Sequence, residues 1–494
     1  MRALVAAPRA DGAGPPFLAA AGFAVLAAAV AAGGRSGTLF AGAAGALFLT
    51  AVLVRRPYVR WETVLVALLL VILFIPIRRY RMPGDLPFQL EPYRVLVALI
   101  LAGWIAALLV DSRVRLRRSG LDGPITFMLM ATLASVAANP ARFADAESTA
   151  LKSLTFFLSF VLVFYFVVSV VRSEATAMVV LKTLVAGGAV VAVLAIVEAR
   201  TSTAPFARLD AVLPFLTPDP SFADGLARGG STRAFGPAEH PIALSAALVL
   251  LIPLALYVVR VAGARWYLPL VALVVGVLAT VSRTGVLMLF VIGVVFLVLR
   301  PRETRRLWPL LVPALVATHF AVPGTLGAIK QAFLPEGGLV AQQSATTGDC
   351  NADGRIADLG PTLTEVAEKP VLGHGYGTRI VSGEGANACI LDNQWLGTLL
   401  DLGVVGALAW LWLFLAVLRR LGAVGRDDPS AIGWLAVAIT ASVSAYAVAM
   451  FTFDAFGFIQ VTFLLFVLLG LGGTVLRACE VEPHARWPRE QWPP

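Results

Sequence analysis

Apolar segments long enough to cross a lipid bilayer recur along almost the whole chain. A helix needs about 20 mainly apolar residues to span roughly 30 Å of hydrocarbon. Fourteen segments approach or reach that length, near residues 17–32, 37–54, 62–77, 93–110, 124–138, 150–171, 177–198, 240–260, 266–282, 284–299, 307–323, 395–418, 432–451 and 456–476. Only 14% of the residues are charged, against about 25% in soluble proteins. The sequence therefore predicts an all-α polytopic membrane protein with about 12–14 transmembrane helices.

Basic residues indicate how these helices are oriented. Arginines are concentrated in short segments such as 113–118 and 300–306. Because cytoplasmic loops are enriched in Lys and Arg, we expect these segments inside and, with an even number of spans, both termini in the cytoplasm. Arg78, Arg79 and Arg81 run against this bias, since they would face outside. The excess of 39 basic over 30 acidic residues follows from the same rule and requires no nucleic acid partner.

Long polar segments between the apolar runs divide the chain. The predicted organisation is N-terminal transmembrane helices (1–198), an extracytoplasmic loop (199–239), central transmembrane helices (240–323), a large extracytoplasmic loop (324–394), C-terminal transmembrane helices (395–476) and a cytoplasmic tail (477–494). In the large loop, Ile356, Leu359, Leu363 and Val366 recur at helical spacing, which predicts an amphipathic helix on the outer membrane surface.

Two arginines lie where predicted helices meet the outer face. Arg233 shortly precedes the span that begins near residue 240, and Arg283 lies in a tight hairpin between Ser282 and Thr284. A single arginine at such a position is often only an anchor at the membrane edge. Several arginines at one leaflet suit an anionic ligand, because the guanidinium group offers phosphate oxygens a planar fork of donors.

The large loop adds Arg355, a glycine-rich stretch and two cysteines. The alternating Gly373, Gly375 and Gly377 form either a flexible turn or a backbone that approaches a ligand closely. Cys350 and Cys389 also lie in this loop. A disulfide between them is open, because the sequence does not give the distance that separates them.

The histidines do not predict a metal site. His240 lies beside the Arg233 segment and His374 lies in the glycine-rich stretch. No pair of histidines has metal-ligand spacing. The sequence therefore predicts no metal.

The order of these blocks resembles the O-antigen ligase and O-antigen polymerase superfamily of bacterial membrane enzymes. The blocks that carry the resemblance span residues 229–410: Arg233 with Phe235-Gly236-Pro237 and His240-Pro241; Ser282-Arg283-Thr284-Gly285; and Arg355 with residues 369–377, Asp392-Asn393-Gln394-Trp395-Leu396 and residues 403–406. The resemblance implies a GT-C-like enzyme. It would transfer a glycan from undecaprenyl diphosphate to an acceptor hydroxyl at the outer face of the cytoplasmic membrane, without a cofactor or metal.

The resemblance also assigns roles to individual residues. The diphosphate would be bound by Arg233, Arg283 and Arg355, and the glycan by the loop residues Gly373, Gly375, Tyr376, Gly377, Asn393 and Gln394. Ligases of the family carry a histidine where this chain has Asp392. The general base is therefore open between Asp392, His374 and His240.

Other functions remain open at this stage. The acceptor is undetermined, so the enzyme is either a polymerase or a ligase, and a flippase and a chain-length regulator are the protein partners we would expect. A transporter or flippase for a lipid-linked or small substrate is the main alternative. Transporters place charged sites near the bilayer midplane, whereas the polar features here lie at the outer edge. A non-catalytic scaffold is the third interpretation.

Overall fold

The structure is a computed structural model. It describes residues 60–81, 91–111, 114–211, 213–214, 216–219, 227–228, 231–307, 309, 311–335, 337–345, 354–381 and 385–481. The first two predicted spans, 17–32 and 37–54, lie outside the described residues, as does Cys350.

Helices make up nearly all of the described secondary structure. They are α1 (Trp61–Phe74), α2 (Pro92–Val110), α3 (Asp122–Ala138), α4 (Pro140–Asp145), α5 (Glu147–Val170), α6 (Glu174–Thr201), α7 (Pro241–Ala262), α8 (Tyr267–Ala279), α9 (Arg283–Leu299), α10 (Pro301–Leu307), α11 (Leu311–Ala321), α12 (Thr325–Phe333), α13 (Leu339–Ser344), α14 (Leu359–Glu368), α15 (Gln394–Asp427), α16 (Ala431–Ala449) and α17 (Ile459–Val481). Two 3-10 helices, Pro205–Ala211 and Ala264–Trp266, lie between them.

Seven of these helices are long and apolar enough to cross a membrane by length and composition: α2, α5, α6, α7, α15, α16 and α17. Shorter apolar helices are α1, α3, α9 and the segment Ala264–Ala279, which contains α8. The prediction of an all-α polytopic membrane protein is confirmed. The predicted span 307–323 is shorter than expected, because α11 has 11 residues and Pro323 and Gly324 follow its end.

The helices α7 and α17 form the centre of the bundle. In an apolar stretch of 18 residues within each helix, 94% of the residues are buried, whereas the share in α2 is 33%. The helix α17 packs on α5 and α7, and α7 also packs on α8 and α16. Because neighbours surround α7 and α17, both helices are apolar on every side rather than along one stripe.

The long helix α15 is broken at Gly403. This glycine has φ 66° and ψ −166°, which no helix allows. The loop that precedes α15 inserts at the break: the amides of His374 and Gly375 donate to the carbonyls of Leu400 and Asp401, at 2.7 and 3.2 Å. In return, residues 404 and 405 donate their amides to the carbonyls of residues 370 and 371. The backbone groups that the break releases are therefore bonded, as an apolar surrounding requires.

Two predicted outer segments pair with each other. The strand β1 (Tyr80–Arg81) pairs antiparallel with β2 (Thr217–Pro218), and the hydroxyl of Tyr80 donates to the carbonyl of Phe206 at 2.8 Å. Farther along, β3 (Ala227–Arg228) pairs with β4 (Ser231–Thr232). The β1–β2 pair ties the segment before α2 to the segment before α7, and so brings residues 77–81 close to the Arg233 region.

The arginines that run against the charge bias all have partners. The Nη2 of Arg81 lies 2.7 Å from the Oδ2 of Asp219. The guanidinium of Arg79 lies over the ring of Phe235, 4.4 Å from its centroid. The Nε of Arg78 lies 3.6 Å from the Oε1 of Glu239. Their position is explained by specific contacts between the two outer segments.

Candidate functional site

The side chains of Arg283 and Arg355 are linked through two neighbouring glutamines. Arg283, the first residue of α9, donates from Nη1 to the Oε1 of Gln342 at 3.1 Å. Arg355 donates from Nη1 to the Oε1 of Gln343 at 3.3 Å and from Nη2 to the Oδ2 of Asp392 at 2.8 Å. Three residues predicted to bind or react with the substrate, Arg283, Arg355 and Asp392, therefore meet around the short helix α13. We call these three residues and the two glutamines the arginine site.

The turn between α8 and α9 holds Arg283 in place. Val281 in this turn has φ 48°, a left-handed conformation that costs about 1–3 kcal/mol in a β-branched residue. Arg233 supports the turn: its side chain is buried, and its Nε donates to the carbonyl oxygen of Thr280 at 3.1 Å. Arg233 and Arg283 therefore lie at the same turn, one buried against it and one partly exposed.

Asn393 fixes the start of α15 directly after Asp392. Its side-chain oxygen accepts hydrogen bonds from the amides of Trp395 and Leu396, at 3.0 and 3.2 Å. Such a cap satisfies amides that the first turn of a helix leaves without partners. Because the cap orients the residues just before the helix, Asp392 is held toward Arg355.

The predicted loop residues of the glycine-rich stretch pack against the protein itself. A methyl group at Gly373 would lie 2.5 Å from the carbonyl oxygen of Leu400, and one at Gly377 would lie 2.5 Å from the Cβ of Ser153. Gly375 has φ 108°. Tyr376 is buried, with its ring edge on Phe157 at 5.6 Å between centroids. These residues shape the loop that enters the broken helix, and the geometry gives no support for a direct contact with a glycan.

Both predicted histidines hold backbone groups. The Nε2 of His374 lies 2.9 Å from the carbonyl oxygen of Glu365, and the residue is buried. His240 caps α7, with its Nδ1 accepting from the amide of Ile242 at 3.2 Å, and its ring stacks on Phe458. Of the three candidate general bases, only Asp392 lies in the arginine site.

A second charged group, which sequence reasoning did not predict, surrounds Arg78. Glu91 accepts from the amide of Arg78 at 3.0 Å and pairs with Arg94 at 2.5 Å. Glu239 lies 3.6 Å from Arg78, and burial raises the pKa of Glu239 to about 7. The carboxylate of Glu239 in turn raises the pKa of Arg78. The signals in the sequence were the unusual charge bias at Arg78 and the position of Glu239 inside the Arg233 segment.

Asp454 lies within electrostatic range of both groups. It belongs to residues 450–458, which connect α16 to α17. Burial, the largest effect, raises the pKa of Asp454; the charges of Arg379 and Arg78 lower that pKa, and Asp392 raises it. Asp454 lies outside the motifs that carry the family resemblance, so its proximity to Asp392 is a result of the fold.

Two further residues of the large loop, Arg379 and Cys389, form contacts within the protein. Arg379 donates from Nη2 to the carbonyl oxygen of Cys389 at 2.6 Å. Cys389 is disulfide-bonded, whereas Cys479 is a free thiol. Among the residues that the structure describes, no group of three or more His, Cys, Asp or Glu side chains is placed to hold a metal ion.

Comparison with known protein families finds a similarity that covers part of this site. Residues 268–411 match the family model described as O-antigen ligase. The matched segment contains Arg283, Arg355 and Asp392, whereas Arg233, Glu239 and Asp454 lie outside it. None of the curated proteins compared with the chain matches it. This segment is similar to the O-antigen ligase family, and the resemblance predicted from the motifs is confirmed over residues 268–411.

Proposed function

We propose that the protein transfers a glycan from an undecaprenyl-diphosphate carrier to an acceptor hydroxyl at the outer face of the bacterial cytoplasmic membrane. The family match supports the coarser role of a membrane glycan ligase or polymerase. The observation that carries the finer proposal is the convergence of Arg283 and Arg355 on the adjacent Gln342 and Gln343.

Two guanidinium groups at this position suit a diphosphate. Each offers several N–H donors in one plane, and a diphosphate offers several oxygens at the depth of the lipid headgroups. Arg283 and Arg355 are both partly exposed, so a ligand can reach them. Their glutamine partners are neutral acceptors that phosphate oxygens can replace, and at Arg355 this exchange leaves the pair between its Nη2 and Asp392 in place.

The same arginines would also assist the reaction. When the bond between the sugar and the diphosphate breaks, negative charge develops on the leaving diphosphate. Fixed cations stabilise that charge in the transition state more than in the bound donor. Arg233, which is buried against the turn, would act by holding Arg283 in position rather than by binding phosphate directly.

The proposed orientation places this chemistry outside the cytoplasm. Short arginine-rich segments would lie in the cytoplasm together with both termini, and the arginine site would lie at the outer leaflet. The lipid-linked donor would arrive there through a flippase, and a chain-length regulator would be a further partner if the enzyme is a polymerase. The proposal involves no metal and no cofactor.

The test is the length distribution of surface polysaccharide in a strain that lacks the gene. The strain is complemented with wild type, with Arg283→Ala, or with Arg208→Ala, each expressed at the same level. Arg208 is an exposed arginine of an outer segment, so its variant controls for loss of one positive charge. We expect wild type and Arg208→Ala to restore the long polymers and Arg283→Ala to leave single repeats.

Other outcomes separate the alternatives. Free polymer of normal length that is no longer attached to its acceptor would assign the protein as a ligase. Full restoration by Arg283→Ala would contradict the proposal and favour transport or a scaffold role.

A further inference from the structure

The connection between α16 and α17 is held by a residue of the family-matched segment. Gln394, the first residue of α15, donates from its amide to the carbonyls of Met450 and Phe453, at 2.7 and 3.2 Å. Its side-chain oxygen accepts from the amide of Phe456 at 2.8 Å. Gln394 thus bonds the connection on both sides of Asp454. Because Gln394 lies two residues after Asp392, the segment that orients Asp392 also fixes Asp454.

A second contact joins this connection to the turn of Arg283. The hydroxyl of Thr284 lies 3.1 Å from the hydroxyl of Thr452. Thr284 follows Arg283 in the chain, and Thr452 lies two residues before Asp454. Two independent contacts, from the two motifs that build the arginine site, therefore place Asp454 beside that site.

The carboxylate of Asp454 takes little part in hydrogen bonds within the protein. Its Oδ1 accepts from the amide of Gly457 at 3.1 Å, which is its one hydrogen bond within the described part of the chain. The side chain is only partly buried. The titratable groups that act on it electrostatically come from several elements: Arg78, Glu239, Tyr376, Arg379, Asp392, Asp401 and Tyr446.

The other candidate bases either contact other protein groups or are closed to solvent. Asp392 is ion-paired with Arg355 at 2.8 Å. His374 contacts a backbone carbonyl and His240 caps α7. Both carboxylate oxygens of Glu239 are closed to solvent. Among these groups, Asp454 is the carboxylate that lies beside the arginine site, keeps some exposed surface and forms no ion pair with the residues that the structure describes.

We propose that Asp454 is the catalytic residue that accepts the proton of the attacking hydroxyl, an inference that rests on the proposed function. The acceptor oxygen forms a bond to the anomeric carbon of the donor sugar, and its proton passes to the carboxylate of Asp454. The bond from that carbon to the diphosphate breaks. Its electron pair leaves with the undecaprenyl diphosphate, whose charge Arg283 and Arg355 stabilise.

The test compares Asp454→Asn with Asp454→Glu in the full chain. Asparagine keeps the size of the side chain and the oxygen that accepts from Gly457, but it cannot take up the proton. Two quantities are measured for each variant: the amount of long polymer in the complemented deletion strain, and the affinity of the purified protein for farnesyl diphosphate, a short lipid diphosphate. Glu368→Gln, on the exposed side of α14, is the matched control.

For Asp454→Asn we expect polymer synthesis to fall about 100-fold or more, the usual contribution of a general base. Affinity for farnesyl diphosphate should stay within about twofold of wild type. Asp454→Glu should restore measurable polymer, and Glu368→Gln should behave as wild type.

The inference is overturned if Asp454→Asn makes polymer at the wild-type level. It is also overturned if Asp454→Glu binds farnesyl diphosphate normally and makes no more polymer than Asp454→Asn. The comparison of Asp454→Glu with Asp454→Asn tests the inference even if asparagine disturbs folding, because normal binding of farnesyl diphosphate shows that Asp454→Glu is folded. Failure of wild type to bind farnesyl diphosphate would instead contradict the proposed function, so the two failures are distinguishable.

Discussion

The Nη2 of Arg355 lies 2.8 Å from the Oδ2 of Asp392, which ties the middle of the large loop to the start of α15. The side chains are 23% and 50% exposed. A pair this exposed contributes little to stability, about 0–1 kcal/mol. Its effect is on geometry: it orients the guanidinium of Arg355 toward the position where the diphosphate would bind.

Asp392→Asn should therefore change donor binding only slightly. Asparagine retains an oxygen that can accept from Arg355 but lacks the charge. Because asparagine can keep the guanidinium oriented and its lost charge would only repel an anionic ligand, the affinity for farnesyl diphosphate should stay within about fivefold of wild type, with long polymer still made. The measurement is a binding titration beside the polymer assay. Loss of polymer with unchanged affinity would instead identify Asp392 as the proton acceptor, in place of Asp454.

Gly403→Ala should destabilise the fold. The residue has φ 66°, and an added methyl group would lie 2.3 Å from the carbonyl oxygen of Val371. Backbone strain of this kind costs about 1–3 kcal/mol before any clash is counted. Gly422→Ala in the same helix is the control, since no atom lies within 4 Å of its added methyl group. Thermal unfolding in one detergent should show a lower Tm for Gly403→Ala alone. Equal Tm values would mean that the inserted loop does not depend on the break.

Glu239 should make stability depend on pH. Its pKa is raised from 4.5 to about 7 by burial, so between these values the folded protein holds a proton that the unfolded chain has lost. The stabilisation that comes from the proton bound to Glu239 is therefore complete below pH 4.5 and is lost as the pH rises through about 7. Glu239→Gln should remove this loss.

Thermal unfolding at pH 5 and pH 8 measures the effect of Glu239. At the higher pH, Glu239→Gln should be more stable than wild type by on the order of 1 to 3 kcal/mol. The exposed Glu368→Gln should show no such difference. An equal pH dependence in wild type and Glu239→Gln would contradict the proposed burial of the charged group.

The sequence predicted the helices better than it predicted the site. Lipid-length apolar runs give the spans, because a bilayer leaves the backbone few other choices. The break at Gly403 was not foreseen, since the glycine-rich loop that bonds the released backbone groups was read as a turn or a ligand contact. Motif order singled out Arg283 and Arg355 as a prediction, but their contacts with Gln342 and Gln343 depend on the position of α13, which the motifs do not give.

Asp454 and Glu239 were missed for a related reason. Neither forms a local pattern with the arginines, and each reaches its place through packing between distant segments. Asp454 depends on the hydrogen bonds of Gln394 to the connection after α16. Glu239 depends on Arg78, which the paired outer strands bring close. The unusual charge bias at Arg78 and the position of Glu239 inside the Arg233 segment were the local signs of this second group.

The most direct test of the account is the affinity of the purified full-length protein for farnesyl diphosphate, in wild type, Arg283→Ala and Arg208→Ala. A charge-assisted hydrogen bond contributes about 1.5–3 kcal/mol, so Arg283→Ala should raise the Kd about tenfold or more. Arg208→Ala should leave the Kd unchanged, and farnesyl monophosphate should bind wild type more weakly than the diphosphate. Equal Kd values for wild type and Arg283→Ala would contradict the claim that the arginine site holds the diphosphate of the donor.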